Sequence, residues 1–369
     1  MRQISFARGI PAPECLPVDE LAECARDAIA RDGRTVLSYG SPSGYQPLRE
    51  WVADRHGVEP SRVLITNGSL QGFVFLAAHF AARGRVLVEA PTYDRPLKIL
   101  GEAGAEVGAI PQDEEGLDVG ALEAELSPGD ALLYTIPTFQ NPSGRTLSTE
   151  RRRRLVELAR ERGLLLFEDD PYGLVRFEGE APPSLFELAG GENVIYSSSF
   201  SKTVAPGIRV GYFVLPEALA SIVEAMATST YITPVLLSQA TVYEFVRRGS
   251  FEPNLERVRG LLRERRDSML AALESELGGR ASWSRPEGGY FLWLELGVET
   301  APLLERALEA GVTFVRGADF YLPGTGGERS ARLAYSYVSP GEIAEGVVRL
   351  ASLVPSGASV PVPASRIEE

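Results

Sequence analysis

Lysine is nearly absent from this chain. Among 369 residues with 37 basic side chains, only Lys98 and Lys202 are lysine, so the charge on the basic side is almost wholly arginine. Arginine stays protonated, whereas a lysine amine can lose its proton and attack a carbonyl. Lys202, in Ser197-Ser198-Ser199-Phe200-Ser201-Lys202, therefore stands out, although the count alone leaves an ordinary loop lysine equally open. Cysteine is as scarce: Cys15 and Cys24 are too few for a disulfide framework. The only histidines, His56 and His79, lie in helix-like contexts without a Cys, His or acidic cluster at ligand spacing, so no metal centre is expected. Net positive charge is missing too. The balance of −13 argues against the basic stripe that nucleic acid needs, but not against an anionic small molecule held by a few arginines in a cleft. No apolar run approaches the roughly 20 residues of a membrane span, and nothing at the start reads as a signal peptide; a cytoplasmic protein with no membrane partner is expected. Neither lysine follows a glycine, which removes a P-loop, and the segment 40–44 centres on Pro42, not on a serine, which removes a nucleophile elbow. Without a secretory signal, Asn67-Gly68-Ser69 matches a glycosylation acceptor only by accident.

What is present is the composition of a globular protein, 44% hydrophobic and 24% charged, long enough for one large or two moderate domains. Residues 1–17 read as an extended arm and 18–30 as a helix; 39–45 is a turn-rich loop, and Pro47 opens a helix through Arg55. Apolar strands over 63–66, 86–89, 131–135 and 163–167 then alternate with helices over 69–82, 93–103 and 149–162. Such short apolar strands between amphipathic helices predict a parallel sheet covered on both faces. Two further strands, 194–196 and 210–214, flank the hydroxyl-rich turn that carries Lys202. Helices follow over 217–227, 236–247 and 251–277, then an α+β segment with strands at 289–294, 312–315 and 332–335 and helices at 301–310 and 340–353. The expected division is an arm and part of a small domain over 1–38, a large domain over 39–254, a small C-terminal domain over 255–356, and a disordered proline- and serine-rich tail over 357–369.

Parallel sheets bind ligands beyond the carboxyl ends of their strands, and the polar residues of this chain gather there. Asn67-Gly68-Ser69-Leu70 joins a strand to a helix, where backbone N–H groups form a ready phosphate site, though a plain connection fits as well. Tyr93 follows the next strand and could stack on a flat ring or fill core. Asn141 lies in the polar turn Gln140-Asn141-Pro142-Ser143-Gly144. Asp169 and Asp170 end an apolar strand, with Tyr172 close behind, and Lys202 and Arg209 complete the set. Each signal is weak alone. Together they supply a phosphate cradle, an aromatic stacker, an amide, a carboxylate, an amine and an arginine. Pyridoxal phosphate needs this inventory: a lysine for its aldehyde, a helix N-terminus and an arginine for its phosphate, and a carboxylate for its pyridine nitrogen.

At this point the chain resembles the fold type I pyridoxal-phosphate enzymes, and among them the class I/II aminotransferases of the 2-aminoadipate and kynurenine aminotransferase II branch. The segments that carry the resemblance are 5–13, 39–49, 66–71, 89–93, 136–144, 167–172, 197–212, 286–293 and 331–333, in family order across about nine tenths of the chain. The resemblance implies a central, mostly parallel sheet flanked by helices, with a smaller α+β domain from both termini. It implies that Lys202 forms the internal aldimine and carries the proton between substrate and cofactor, that Asp169 pairs with the pyridinium nitrogen while Asp170 does not, and that Asn141 and Tyr172 hydrogen-bond the ring oxygen. Tyr93 would stack on the ring. The Gly68, Ser69 and Leu70 backbone, Ser199, Ser201 and Arg209 would hold the phosphate, with Tyr39 reaching across a homodimer interface. Arg332 would grip the substrate α-carboxylate, with Asn141 beside it and the Gly9 backbone closing over the substrate. The implied reaction is ping-pong transfer of an amino group to a 2-oxo acid, 2-oxoglutarate foremost.

The chain departs from that branch in one respect. There an N-terminal helix precedes the S-F-A-x-G motif and can supply an arginine for a side-chain carboxylate, whereas Ser5-Phe6-Ala7-Arg8-Gly9 stands at the start here. A neutral aliphatic or aromatic donor is therefore expected. The same motifs serve carbon–sulfur β-lyases, and similar domains occur as sensor halves of transcription regulators. The acidic balance and the lack of a DNA-binding segment speak against the sensor.

Overall fold

The computed structural model of the protein describes residues 2–357, so all but the first residue of the expected tail over 357–369 lies outside them. In chain order its strands begin with β1 (Ile4–Ser5), β2 (Val63–Thr66), β3 (Arg85–Ala90), β4 (Val107–Asp113), β5 (Gly116–Leu117), β6 (Asp130–Thr135) and β7 (Leu165–Asp169). They continue with β8 (Val194–Ser199), β9 (Gly211–Val214), β10 (Ala281–Trp283), β11 (Phe291–Leu296), β12 (Val312–Thr313), β13 (Val315–Arg316) and β14 (Ser330–Ala334). The α-helices are α1 (Val18–Val36), α2 (Gln46–His56), α3 (Ser69–Ala81), α4 (Asp94–Glu102), α5 (Val119–Glu125) and α6 (Thr149–Arg162). After them come α7 (Leu185–Leu188), α8 (Glu217–Tyr231), α9 (Leu236–Arg247), α10 (Phe251–Leu277), α11 (Thr300–Glu309) and α12 (Pro340–Ala351).

Eight strands form the central sheet in the order β2-β9-β8-β7-β6-β3-β4-β5. Strands β3, β4, β6, β7 and β8 run parallel; β9 is antiparallel to both β8 and β2, and β5 is antiparallel to β4. Side chains alternate between two cores. Leu64, Leu132, Tyr134, Phe167 and Phe213 face one, and Val63, Ile65, Leu133, Leu166 and Val214 face the other. The period-2 alternation thus buries both faces, which is why these strands read as unbroken apolar runs. Each such side chain contributes about 1.5–3 kcal/mol.

A second sheet, β10-β11-β14-β13, lies in the C-terminal part, and β1 pairs in parallel with β12. The arm is thereby tied to the C-terminal part: Phe6 N donates to Thr313 O (2.8 Å) and Ala334 N donates to Phe6 O (2.7 Å).

Several elements differ from the sequence reading. The stretch holding β4, β5 and α5 carried no assignment, because β4 sits beside the sheet's edge with a half-exposed alternating pattern and a proline, Pro111, that only such a position tolerates. Helix α1 continues to Val36 past a non-helical Asp32. The strand expected over 289–294 is shifted to β11, since Gly289 (φ +74) turns the chain just before it. Strand β8 reaches Ser199, so three of the supposed turn serines are buried strand residues. Among the described residues no helix is long and apolar enough to cross a membrane.

Candidate active site

The carboxyl ends of β2, β3, β6, β7 and β8 point to one edge of the sheet. There Ser69, Leu70, Tyr93, Asn141, Asp169, Tyr172, Ser199, Ser201, Lys202 and Arg209 line a single pocket of about 240 Å³, together with Ile10, Ile136, Pro171 and Pro206. Ten positions singled out in the sequence therefore converge. Gly68 lies directly behind the arginine, and Gly9 and Arg332 reach the site through hydrogen bonds. Tyr39 is apart from this pocket, with 83% of its surface exposed.

Lys202 follows β8 by three residues and is partly buried. Its Nζ donates to Gly9 O at 2.7 Å and lies 5.0 Å from the Tyr290 ring centroid and 5.7 Å from that of Tyr172. Burial, reinforced by the positive charges of Arg332 and Arg209, pushes the ammonium from 10.5 down to about 8. Among the described residues no carboxylate forms an ion pair with it, which would have opposed that shift.

Asp169 ends β7, and its carboxylate is buried. Oδ2 accepts from the Tyr134 hydroxyl (2.7 Å) and Oδ1 from Ser197 Oγ (3.2 Å). Burial raises this carboxyl to about 6, while the two hydroxyls pull it back toward the ionised form. Asp170 turns elsewhere, accepting from the Tyr196 hydroxyl (2.9 Å) and from Gly173 N (2.8 Å). Adjacent strand residues point to opposite faces, and here that pleat separates two aspartates of the same type.

At the start of α3, Gly68 holds φ +89, and a Cβ there would collide with Nη2 of Arg209. The guanidinium thus lies across bare backbone at a helix N-terminus, donating to Asn67 O (3.3 Å) and Pro206 O (3.2 Å). Arg209 itself has φ +53. Ser199 and Ser201 stand beside it with their hydroxyls 2.9 Å apart. Hydroxyls, helix N–H groups and a guanidinium gathered in this way can hold a dianion.

On the opposite side, Arg332 of β14 is buried between the rings of Phe291 and Phe320, at 4.2 and 4.9 Å from their centroids. Nη1 donates to Asn141 Oδ1 (2.8 Å) and Nη2 to Ala7 O (3.0 Å), while Nε has no partner among the described residues. A buried guanidinium that lacks a carboxylate is poised for one. Tyr93, just ahead of α4, has its hydroxyl pushed up to about 12 by burial, with Asp94 and Asp169 adding to the shift.

Three contributors escaped the sequence reading. Tyr134 and Ser197 hold Asp169, and the Tyr290 hydroxyl donates to the Lys202 carbonyl (3.0 Å). Tyr134 and Ser197 are polar tips inside apolar strands on either side of β7, a neighbourhood that only the strand order reveals.

These residues fit pyridoxal phosphate by their own chemistry: a depressed lysine, a buried carboxylate with no cation, a glycine-floored arginine at a helix start, and an arginine with an unpartnered N–H. The sequence pattern described as aminotransferase class I and II matches residues 3–350. The chain belongs to the class I and II aminotransferases. It is an aminotransferase of fold type I, and its cofactor is pyridoxal 5′-phosphate. Among its relatives is the 2-aminoadipate transaminase of Thermus thermophilus, 42% identical over 355 residues that cover 94% of this chain and 89% of that one. The structure of LysN, the α-aminoadipate aminotransferase from Thermus thermophilus complexed with N-(5′-phosphopyridoxyl)-L-leucine, superposes with a TM-score of 0.90 at 39% identity, covering 95% of this chain and 92% of that chain. A Pyrococcus horikoshii kynurenine aminotransferase gives a TM-score of 0.91 at 34% identity, with 96% and 91% coverage.

Proposed function

We propose that this aminotransferase takes the amino group from a neutral aliphatic or aromatic L-amino acid and passes it to a 2-oxo acid, 2-oxoglutarate foremost, with donor and acceptor using one site in turn. The observation that carries the reading is the set of cations at the pocket. Lys202 and Arg209 line the pocket and Arg332 touches it through Asn141; each has a task in handling cofactor or α-carboxylate, as have the polar Ser69, Asn141, Asp169, Ser199 and Ser201, and the lining left over at Ile10, Ile136, Pro171 and Pro206 is apolar. No further cation among the described lining residues is left for a donor's side-chain carboxylate. In this reading the second carboxylate of 2-oxoglutarate, and of the glutamate formed from it, would be met from outside that lining by Arg8. This exposed arginine lies between the Ala7 and Gly9 carbonyls that touch Arg332 and Lys202, with its guanidinium 5.3 Å from the Tyr337 ring centroid.

When bound, pyridoxal phosphate supplies an aldehyde for the amino group and an electron sink for the Cα–H bond. The chain's own residues do the rest. The helix α3 N-terminus at Ser69 and Leu70, with Ser199, Ser201 and Arg209, would hold the phosphate. Asp169 would keep the ring nitrogen protonated, Tyr93 would stack on the ring, and Asn141 and Tyr172 would hydrogen-bond its hydroxyl oxygen. Arg332 would orient the α-carboxylate. Lys202, whose amine loses its proton far more readily than an exposed lysine, would take the proton from the substrate Cα.

We read 39–254 as the cofactor-binding domain and 255–356, joined by 1–38, as the smaller one, although α10 runs unbroken across that boundary. The reading further places the protein in the cytoplasm as a homodimer, with Tyr39 of each subunit reaching its partner's phosphate site. A panel of single amino acids, each followed by change in the bound cofactor's absorbance, tests the substrate class. Aromatic and aliphatic amino acids should respond at the lowest concentrations. A clear preference for 2-aminoadipate would contradict the neutral-donor reading, and steady release of pyruvate would point to lyase chemistry.

A further inference from the structure

Glu89, at the end of β3, is 2% exposed and forms no ion pair among the described residues. Every hydrogen bond to it comes from a neutral donor. Oε1 accepts from Thr135 Oγ1 (2.7 Å), and Oε2 accepts from Ile136 N (3.1 Å) and Gln140 Nε2 (3.1 Å). Gln140, also 2% exposed, donates from Nε2 to Pro91 O (2.7 Å) and accepts at Oε1 from Ser143 N (2.8 Å). The next residue is Asn141, whose Oδ1 accepts from Arg332. Burying an unpaired carboxylate is expensive, and burial pushes Glu89 up to about 7. A second buried acid, with a cation beside it, is found one strand over from β6. Glu168 lies 3.8 Å from Arg152 and accepts from the N–H groups of Leu185 and Phe186, which open α7.

We propose that Glu89 is a positioning residue for transamination: by fixing Ile136 and Gln140 at both ends of the segment after β6, it sets Asn141 and, through Asn141, the fork of Arg332. The chain of contacts is continuous from Glu89 to the guanidinium, where Asn141 and Ala7 hold the two Nη nitrogens and Nε has no partner among the described residues. The proposal rests on the reading of Arg332 as the grip on the substrate carboxylate.

The test uses cofactor-loaded protein and 3-phenylpropionate, a carboxylate without an amino group, whose binding is read as a shift in cofactor absorbance. Glu89→Leu and Gln140→Leu should each weaken binding about tenfold or more, a difference of about 1.4 kcal/mol. Glu89→Gln, which keeps volume and one acceptor, should restore most of the affinity. Glu168→Gln should lower the melting temperature yet bind as the parent does. If Glu89→Leu does not fold, Gln140→Leu cuts the same link from the other side. Unchanged affinity in the folded leucine variants would overturn the proposal. Arg332→Lys separates the two ideas: it should weaken binding strongly, and a parental affinity there would remove Arg332 as the grip and the proposal with it.

Discussion

Lys202 and Asp169 owe their chemistry to burial, which moves them in ways that can be measured one residue at a time. Lys202 should be half neutral near pH 8, so uptake of pyridoxal phosphate by the apoprotein should accelerate with pH around a midpoint near 8, well below the usual 10.5. Stopped-flow absorbance measures this, and a midpoint near 10 would mean that burial does not depress the amine. Asp169 carries the opposite sign. Its folded carboxyl titrates near 6 instead of 3.8, so the ionised form costs apoprotein stability above about pH 6, and the penalty fades as pH falls toward 4. Asp169→Asn should therefore stabilise the apoprotein by about 1–3 kcal/mol at pH 8 and by little near pH 4. The same variant should lose most turnover, because an amide cannot hold the ring nitrogen protonated. Melting curves of the apoprotein at the two pH values check the first claim.

Among the elements, the junction between β2 and α3 shows how local sequence becomes a binding surface. Gly68 is needed for two reasons, its φ of +89 and the Arg209 guanidinium packed against it. Gly68→Ala should displace that guanidinium and weaken cofactor binding about tenfold or more, a cost of at least ~1.4 kcal/mol, with folding retained. Equilibrium titration with the cofactor gives the answer, and unchanged affinity would remove Arg209 from the phosphate site. Much of this level was legible in the sequence. Apolar runs marked β2, β3, β6 and β7, and the polar groups placed just after them did converge. What was not legible depends on neighbours across the sheet. Tyr134 and Ser197 reach Asp169 only because β6, β7 and β8 lie side by side in register, and no local pattern announces that. The stretch 107–125 was missed because β4 is a half-exposed strand beside a sheet edge, with Gly108 and Pro111 interrupting its apolar run. Ser197, Ser198 and Ser199 suggested a turn, and burial with satisfied hydroxyls kept them in β8, while Ser201 does lie in the turn.

At the scale of the whole molecule, the site is assembled from distant parts of the chain. The arm brings Gly9 to Lys202 and Ala7 to Arg332, and β14 of the C-terminal part delivers Arg332 to Asn141. The arm's position explains a further expectation: Arg8→Ala should raise KM for 2-oxoglutarate several-fold and leave KM for a neutral donor nearly unchanged. Exposure of Tyr39 bears on assembly. If it completes a partner's site, Lys202→Ala and Tyr39→Ala proteins, each weak or inactive alone, should regain activity when mixed and allowed to exchange subunits. The hybrid then contains one site with both residues intact, and activity equal to the sum of the separate proteins would count against a shared site. Lys202 is the group on which cofactor attachment and turnover depend in this reading, and one substitution reaches it directly. Lys202→Ala, purified with pyridoxal phosphate, should lack the visible absorbance that cofactor bound to the lysine gives and should show no turnover with any donor. A variant that keeps both the band and its activity would contradict the account.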